Sequence, residues 1–280
     1  MMSLRTFLVN NGRRDLKFIP YIGCKSGFAH IFDSLIPDGV ASGRRRKIYD
    51  LFGGGGGFSL YACARFGSMN VTYNDHNPTV ANLIMTLQAD PDGLWAEYQK
   101  HRAKSDADYY RRVRRSDLGN GLVGAGRFFY LTKNAFSGKI RFNSRNEFNT
   151  PMRKGTKCPK VDIGALRSLS DTIRHMTISC KDFAEYRRVT DCFMYLDPPY
   201  LNNPNGHYNA TVPPEEFISF VKCVEKSNKV MISEHNDPKT LELADNYQIY
   251  RIRLGRSLQY FTQDSSSEII AINYCPPSEH

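Results

Sequence analysis

An acid, two prolines and an aromatic residue follow an apolar run in the segment "DCFMYLDPPYL", residues 191–201. A short apolar run bounded by turn residues is typical of a buried strand, so Asp197 would stand at the carboxyl end of a strand. Pro198 and Pro199 have no backbone N–H, which leaves carbonyl acceptors in place, and Tyr200 offers a flat face. These groups suit a planar ring that carries an amino group. An ordinary proline turn would have the same residues, so this segment alone leaves both interpretations open.

A second candidate site follows the apolar segment "IYDLF" (48–52), after which five glycines precede the helical pattern "FSLYACARFG". Glycines at such a point let the backbone approach a ligand closely, where a Cβ would obstruct it. Asp75 ends the next apolar segment, 20 residues beyond Gly55, which is the spacing at which an acid can bind ribose hydroxyls. A flexible turn is the alternative. The strand context and Asp75 favour an adenosine-containing ligand, without distinguishing NAD from other such cofactors.

The segments around both motifs predict an α/β protein. Strands are predicted at 48–52, 69–75, 177–180, 192–196 and 229–234, with two further β-rich segments, "YQIYRIRL" and "EIIAINY". Helices are predicted from about 80 to 135, over 162–176 and from Pro213. A strand, a glycine turn, a helix and a second strand begin a parallel sheet, and ligands bind such sheets at the carboxyl ends of the strands. The sequence therefore places Asp75 and Asp197 at one edge of one sheet.

The segment "AFSGKIRFNSRNEFNTP" (135–151) interrupts this rhythm. Its alternating residues around Ser-Gly predict a β-hairpin. We therefore expect a catalytic domain formed by residues 1–86 and 155–280, with an inserted region at 87–154.

Composition limits the partners. The formal net charge of +10 over 280 residues fits either a solvated basic surface or a polyanionic partner, and basic residues cluster at 43–47 and 109–117. We expect no membrane partner, because no apolar run is long enough to cross a bilayer and the N-terminus becomes charged too early for a secretory signal. The seven scattered cysteines form no CxxC, which indicates reduced thiols in a cytoplasm and no bound metal.

With both motifs placed, the chain resembles the Dam-type DNA adenine-N6 methyltransferases, in which the cofactor motif precedes DPPY, and especially their phage-encoded members. The resemblance is collinear from about residue 18 to 274. It implies a Rossmann-like methyltransferase sheet that uses S-adenosylmethionine, with an inserted helical and β-hairpin region for target recognition. It makes the DPPY residues Asp197, Pro198, Pro199 and Tyr200 the catalytic group.

The same resemblance implies a set of cofactor contacts. "YIGCK" (21–25), the Gly-rich loop, the strand end at Asp75 and "ISCKDF" (178–183) match the family's cofactor segments. The implied residues are Tyr21, Lys25, Asp50, Phe52, Gly54, Gly55, Asp75, Asp182, Phe183 and Asp197.

The family's DNA-reading hairpin is similar to residues 135–151. Arg141 matches an arginine that reads a guanine of GATC in the family, and an arginine can bond both major-groove acceptors of guanine. Phe136 and Ser137 match the hairpin tip near the extruded base. Asn143 is a further implied DNA contact, as is Lys139, which replaces the family's usual apolar residue.

The resemblance implies a site-specific enzyme that methylates N6 of a flipped adenine in double-stranded DNA, within GATC. We expect a monomer in a bacterial cytoplasm, encoded by the bacterium or a phage, with a cognate restriction endonuclease as a candidate partner. Cytosine N4, an RNA adenine or a glutamine amide are alternative substrates. A silent DNA-binding module is a third interpretation, kept open by Cys24 and Glu234, which depart from the family's pattern.

Overall fold

A computed structural model describes residues 18–19, 28–36, 39–42, 47–143, 145, 147–155, 157–199, 212–235, 247–252 and 268–277. Within these ranges the strands are β1 Ile48–Asp50, β2 Val71–Asn74, β3 Thr177–Ser179, β4 Phe193–Leu196, β5 Lys229–His235, β6 Gln248–Ile252 and β7 Glu268–Ile272. They form one sheet in the order β3-β2-β1-β4-β5-β7-β6. The first five strands of that order are parallel, and β7 is antiparallel to both β5 and β6. The predicted α/β class is confirmed.

The strand order places the switch point between β1 and β4. The chain runs from β1 outward to β2 and β3 on one side, and from β4 outward to β5 on the other. Crossover connections therefore leave in opposite directions, which opens a crevice at the carboxyl ends of β1 and β4. The Gly-rich loop follows β1, and Asp197 follows β4.

The described helices are α1 Ala29–Leu35, α2 Gly39–Ser42, α3 Gly57–Phe66, α4 Pro78–Ala89, α5 Pro91–Ala103, α6 Ala107–Arg115, α7 Gly121–Asn134, α8 Ile163–Thr172 and α9 Pro214–Val224. Short 3₁₀ turns span Ser68–Asn70, Phe136–Gly138 and Phe183–Arg188. Side-chain caps set several starts, since the Asp90, Asp106 and Asp162 carboxylates accept backbone N–H groups at the first turns of α5, α6 and α8. No described helix is both long and apolar enough to cross a membrane.

Both faces of the sheet are buried, as the alternation in β4 shows. Phe193 and Tyr195 join the larger apolar cluster with residues of α1, α3, α4, α5, α7 and α8. Met194 and Leu196 point to the other face and pack with α9 and the 3₁₀ turn Phe183–Arg188. Because successive side chains of a strand face opposite sides, a strand covered on both faces is a continuous apolar run. This explains the unbroken "CFMYL" that precedes Asp197.

The predicted hairpin is an antiparallel ribbon spanning 134–153, and we use "the ribbon" for these residues. Isolated bridges pair Ala135 with Met152 and Phe142 with Phe148. The chain reverses between Asn143 and Glu147, where the Asn143 N–H donates to the Glu147 carbonyl at 2.9 Å. The Ser-Gly pair instead forms a 3₁₀ turn near the base of the ribbon. The prediction that Phe136 and Ser137 form the hairpin tip is therefore wrong.

The predicted domain boundary between residues 86 and 87 lies inside α4. Helices α5 and α7, from the predicted insertion, share the larger apolar cluster with the sheet. The division of the chain into a catalytic domain and an insertion stays a prediction.

Candidate active site

Three carboxylates meet at the switch point. Asp50 is the last residue of β1, Asp75 directly follows β2, and Asp197 directly follows β4. β1 lies between the other two strands, so their carboxyl ends reach the same edge of the sheet. The side chains are close enough that the charges of Asp197 and Asp75 both raise the pKa of Asp50. The predicted convergence of Asp75 and Asp197 at one edge is what the structure shows, with Asp50 between them.

Asp50 is almost fully buried, with 1% of its surface exposed. The Ser59 hydroxyl, in the first turn of α3, donates to Asp50 Oδ2 at 2.6 Å. The other oxygen, Oδ1, is buried and has no hydrogen-bond partner among the described residues. Burial, followed by the charges of Asp197 and Asp75, raises the pKa of Asp50 to about 7, against the lowering effect of the Ser59 hydrogen bond. Asp50 thus has a buried oxygen that could accept a hydrogen bond from a bound ligand.

The Gly-rich loop is held against β2 by its own backbone. The Gly53 N–H donates to the Asn74 carbonyl at 2.8 Å, and the Tyr73 hydroxyl donates to the Gly54 carbonyl at 2.8 Å. A Cβ on Gly53 would lie 2.1 Å from the Tyr73 ring, so only glycine fits there. Gly54 and Gly56 have φ of 48° and 77°, which glycine adopts without strain. The glycines therefore shape a tight turn, rather than a flexible one, with Gly55 buried within it.

Asp75 closes this turn from the side of β2. Its Oδ2 accepts the Gly54 N–H and its Oδ1 accepts the Asn77 N–H, each at 2.8 Å. Burial raises its pKa, while these two N–H groups lower it. Each oxygen keeps a further lone pair, because a carboxylate can accept about four hydrogen bonds.

Phe52 and Phe183 approach each other on the other face of the sheet, with ring centroids 5.3 Å apart. Phe183 is buried and also packs on Phe217 and Phe220 of α9. Asp182 is exposed, and its carboxylate accepts the Ala184 N–H at 2.8 Å, which caps the 3₁₀ turn. Asp182 therefore has a structural task in addition to its predicted cofactor contact.

The DPPY segment is described up to its second proline. Asp197 and Pro199 are half-buried, and Pro198 is buried. Tyr200 lies outside the described residues, as do the predicted cofactor contacts Tyr21 and Lys25.

The predicted DNA-reading residues spread along the ribbon. Phe136 is 50% exposed beside the exposed Ser137, whose φ of 53° is unusual for a residue with a Cβ. Lys139 and Arg141 are half-buried. Asn143 is engaged in the turn itself, because its Oδ1 accepts the Arg145 and Glu147 N–H groups at 3.0 and 2.9 Å and its Nδ2 donates to Glu147 Oε2 at 2.6 Å. The predicted DNA contact by Asn143 would have to coexist with these bonds or replace them.

Helix α6 buttresses the return arm of the ribbon. The buried Tyr110 donates its hydroxyl to the Thr150 carbonyl at 3.1 Å, and Arg114 Nη1 donates to the same carbonyl at 3.4 Å. Arg111 is paired with Asp108, whereas Arg115 is exposed at the end of the helix. The basic cluster at 109–117 thus includes a residue that holds the ribbon and residues that face solvent.

Sequence reasoning missed two polar residues of the site, Ser59 and Asn74. Ser59 is two residues beyond the glycine run, and Asn74 precedes Asp75. Their partners are distant in sequence or depend on strand register, so neither residue type nor spacing marked them.

Comparison with known proteins agrees with this geometry. An α/β sheet with a Gly-rich turn and acids at its switch point is typical of proteins that bind a nucleotide-containing cofactor there. The family described as "D12 class N6 adenine-specific DNA methyltransferase" matches residues 21–258. The chain belongs to this family. It is an adenine-specific DNA methyltransferase that uses S-adenosylmethionine, as the resemblance predicted.

Individual relatives are distant but cover most of the chain. The type II methyltransferase M1.LlaDCHI of Lactococcus lactis subsp. cremoris is 24% identical over 242 residues, which cover 79% of this chain and 84% of the relative. The type II methyltransferase M.MjaIII of Methanocaldococcus jannaschii is 25% identical, covering 69% and 73%. The DNA adenine methylase of Haemophilus influenzae is 24% identical, covering 66% and 70%.

The described residues fit S-adenosylmethionine. Its ribose hydroxyls and methionine ammonium are hydrogen-bond donors, and the edge of the sheet supplies acceptors in the free lone pairs of Asp75 and the unpartnered Oδ1 of Asp50. Among the described residues, no group of three or more histidine, cysteine, aspartate and glutamate side chains could hold a metal ion.

Proposed function

We propose that this enzyme methylates N6 of the adenine of GATC in duplex DNA, after rotating the adenine out of the helix, with Asp197 as the central catalytic residue. The observation that carries the catalytic part is the position of Asp197 beside Asp50 at the switch point. A base seated against Asp197 would therefore adjoin the acceptors assigned to the cofactor. A base inside a duplex is out of reach of such a crevice, which is why extrusion is required.

Asp197 and the carbonyl of Pro198 serve as the two acceptors for the amino hydrogens of the target adenine. The lone pair of that nitrogen is delocalised into the ring, which makes it a weak nucleophile. Two acceptors draw the hydrogens out of the ring plane and localise the lone pair, while Tyr200 stacks on the base. S-adenosylmethionine, when bound, supplies an activated methyl group on a sulfonium. The protein contributes orientation and proximity of the amine.

The cofactor residues have separate tasks in this proposal. Asp75 binds the ribose hydroxyls, Asp50 accepts a hydrogen bond from the methionine ammonium, and Gly54 and Gly55 let the backbone come close. Phe52, Asp182 and Phe183 border the adenine moiety, and Tyr21 and Lys25 complete the site. The hydrogen bonds that the Asp75 and Asp50 carboxylates already accept, and the acceptor capacity that remains on them, support this assignment.

The ribbon is proposed to read the DNA sequence, with Arg141 on a guanine and Lys139 contributing to the same readout. Phe136 acts near the gap left by the extruded adenine, and its 50% exposed ring supports that role. The Haemophilus influenzae relative is named a DNA adenine methylase, which is compatible with the same target base. Residues 87–154 would then form the recognition region and residues 1–86 and 155–280 the catalytic domain. We also infer a monomer acting in a cytoplasm, with a cognate restriction endonuclease as a candidate partner.

Sequencing that detects modified bases tests the target. DNA from a methylation-free host that expresses this protein should carry methyl-adenine confined to GATC. Methyl-adenine at another motif would overturn the assigned readout while leaving the chemistry intact. Methyl-cytosine, or methyl-adenine found only in RNA, would overturn the proposed substrate.

The Asp197→Ala variant tests the catalytic role. We expect it to bind duplex DNA and to lose methyl transfer by at least about 100-fold, in the range for removing a positioned catalytic group. Asp171→Ala is the matched control, because Asp171 is an exposed aspartate of α8 that is paired with Arg174. Full turnover in Asp197→Ala would refute the role.

A further inference from the structure

Asn74 is a buried amide at the end of β2, with 1% of its surface exposed. Its Nδ2 donates to the Leu51 carbonyl at 3.1 Å and to the Lys181 carbonyl at 3.0 Å. Its Oδ1 accepts the Lys181 N–H at 3.0 Å. The hydroxyl oxygens of Ser179 and Tyr186 lie within hydrogen-bond distance of the same oxygen, at 3.1 and 3.2 Å, and 2.6 Å from each other. Both donors and the acceptor of the amide are used.

These bonds join two loops that the sheet keeps apart. Leu51 begins the loop after β1, which carries Phe52 and the glycines, and Lys181 lies in the loop after β3, which carries Asp182 and Phe183. β2 lies between β1 and β3, so the two loops cannot share the sheet's own hydrogen bonds. The Asn74 side chain spans that gap. Its backbone carbonyl also accepts the Gly53 N–H at 2.8 Å, which ties the same loop a second time.

We propose that Asn74 is a positioning residue of the cofactor site, which sets the distance between the Gly-rich loop and the Asp182–Phe183 segment. The inference rests on the proposed assignment of both loops to S-adenosylmethionine. Asn74 acts on the cofactor site through the two loops that it holds, and it does not itself need to contact the cofactor. Its neighbour Asp75 faces the Gly54 N–H, so consecutive residues of one strand end fix the turn and tie it to the next loop.

Only an amide can fill this place. An aspartate has no hydrogen for the Leu51 and Lys181 carbonyls when ionised and only one when protonated, and an alanine leaves both carbonyls and the Lys181 N–H without the partner that Asn74 supplies. Buried backbone groups left unpaired are costly, so each substitution would let the two loops separate to reach water. The conservative Asn74→Asp change therefore tests the donors separately from the acceptor.

The test compares Asn74→Ala and Asn74→Asp with wild type in the full chain. Calorimetric titration with S-adenosylmethionine and with its demethylated product, S-adenosylhomocysteine, measures affinity without turnover. We expect both variants to bind each ligand at least about 10-fold more weakly, which corresponds to about 1.4 kcal/mol. The KM for the cofactor should rise by a similar factor, with kcat changed less than threefold and duplex DNA affinity unchanged.

Asn70→Ala is the matched control. Asn70 stands at the opposite end of β2, where its Nδ2 donates to the Phe66 carbonyl at 2.8 Å, away from the site. A urea titration of each variant gives the folded fraction used to correct every affinity. The inference would be overturned if the corrected affinity of Asn74→Ala for the cofactor equalled that of wild type. It would also be overturned if Asn70→Ala weakened the corrected affinity as much as Asn74→Ala does.

Asp75→Ala separates this inference from the proposed site. If Asp75→Ala loses cofactor binding and the Asn74 variants do not, only the positioning role is wrong. If neither Asp75→Ala nor the Asn74 variants weaken binding, the assignment of this edge to the cofactor fails, and the inference fails with it.

Discussion

Single residues at the edge of the sheet are under opposing demands, and Asp50 is the clearest case. Its burial and the charges of two further acids at the switch point both favour the neutral side chain, whereas the Ser59 hydrogen bond favours the carboxylate. Apolar residues of the same strand support folding without such conflict. A buried acid with one oxygen that has no partner among the described residues is a candidate binding group, in line with the tendency of perturbed pKa values to cluster at functional sites.

The Asp50→Asn substitution should change how stability depends on pH. The folded-state pKa of about 7 lies above the usual value of 3.8, so the folded protein holds more protons than the unfolded chain between these values. Asp50 thus makes the free energy of unfolding fall as pH rises from about 4 to 7. Without it, the fall should be smaller. Urea unfolding of both proteins at several pH values measures the difference.

Asp75, whose pKa is also raised by burial, stays in both proteins and contributes a slope of the same sign. The comparison of variant with wild type removes that shared contribution. Asp162→Asn serves as control, because Asp162 is an exposed cap of α8. A stability difference between Asp50→Asn and wild type that is constant from pH 4 to 8 would show that Asp50 is ionised throughout.

Gly53→Ala tests whether the Gly-rich turn is shaped by contact. The added Cβ would lie 2.1 Å from the Tyr73 ring, which is buried and fixed by its hydroxyl bond to Gly54. We expect a loss of about 1–3 kcal/mol in the free energy of unfolding, as for other overpacked cores, together with weaker cofactor binding. Urea unfolding and calorimetric titration check the two effects.

Gly155→Ala is the comparison for this variant. Its φ of +71° strains an alanine, but no atom lies within 4 Å of the added Cβ. It should cost about 1–2 kcal/mol through this backbone strain and leave cofactor binding unchanged. Equal effects of the two substitutions on cofactor affinity would contradict the role given to the Gly53–Tyr73 contact.

At this scale the sequence predicted the acids but not their surroundings. Asp75 and Asp197 follow apolar runs, so each was placed at a strand end by local pattern. Ser59, Asn74 and the Gly53–Tyr73 contact depend on how a helix and a neighbouring strand pack against the loop. No local pattern encodes such contacts, which is why these residues were missed.

Among the elements, the ribbon shows where local pattern stops being sufficient. Alternation over 135–151 predicted two paired arms, and bridges at Ala135–Met152 and Phe142–Phe148 form them. The position of the reversal was wrong, because Ser-Gly is a common turn pair, whereas the chain reverses after Asn143, whose side chain accepts the Arg145 and Glu147 N–H groups. The predicted sheet was more secure, since short apolar runs such as "CFMYL" are bounded by turn residues that mark where each strand begins and ends.

The support of the ribbon by α6 leads to a prediction for Tyr110→Phe. The change removes the hydroxyl that donates to the Thr150 carbonyl and keeps the buried ring. We expect a loss of about 1 kcal/mol in stability and several-fold weaker binding of duplex DNA, because the return arm is less firmly held. Cofactor affinity should not change. Fluorescence anisotropy with a labelled duplex and calorimetric titration with the cofactor give the two affinities.

Tyr109→Phe is the control on the same helix. The Tyr109 hydroxyl bonds to His101 Nδ1 at 2.8 Å, within the helical layer and away from the ribbon backbone. Its loss should affect stability by a similar amount and DNA binding little. If Tyr110→Phe binds duplex as tightly as Tyr109→Phe, the hydroxyl of Tyr110 does not position the ribbon.

For the whole molecule, the net charge of +10 acquires meaning only with the family established. Charge alone fitted a solvated surface equally well. A DNA substrate makes counterion release the expected source of much of the affinity. The acids of the site repel phosphates, so the phosphate contacts must come from other parts of the surface. Helix α6 is a basic element that contacts the ribbon through Tyr110 and Arg114.

The affinity for non-specific duplex should therefore fall steeply with salt. The logarithm of the association constant should be linear in the logarithm of salt concentration, with a slope of about −0.9 for each phosphate neutralised. Arg115→Ala should reduce the magnitude of that slope by about 1, because Arg115 is exposed at the end of α6 beside the ribbon contact Arg114. Arg174→Ala removes an exposed arginine before β3, at the edge opposite the site, and should leave the slope unchanged.

Anisotropy titrations at four or five salt concentrations give each slope. Equal slopes for wild type and both variants would remove Arg115 from the DNA-binding surface, whereas a reduced slope for Arg174→Ala would place DNA at the wrong edge of the sheet for Asp197 to reach a base.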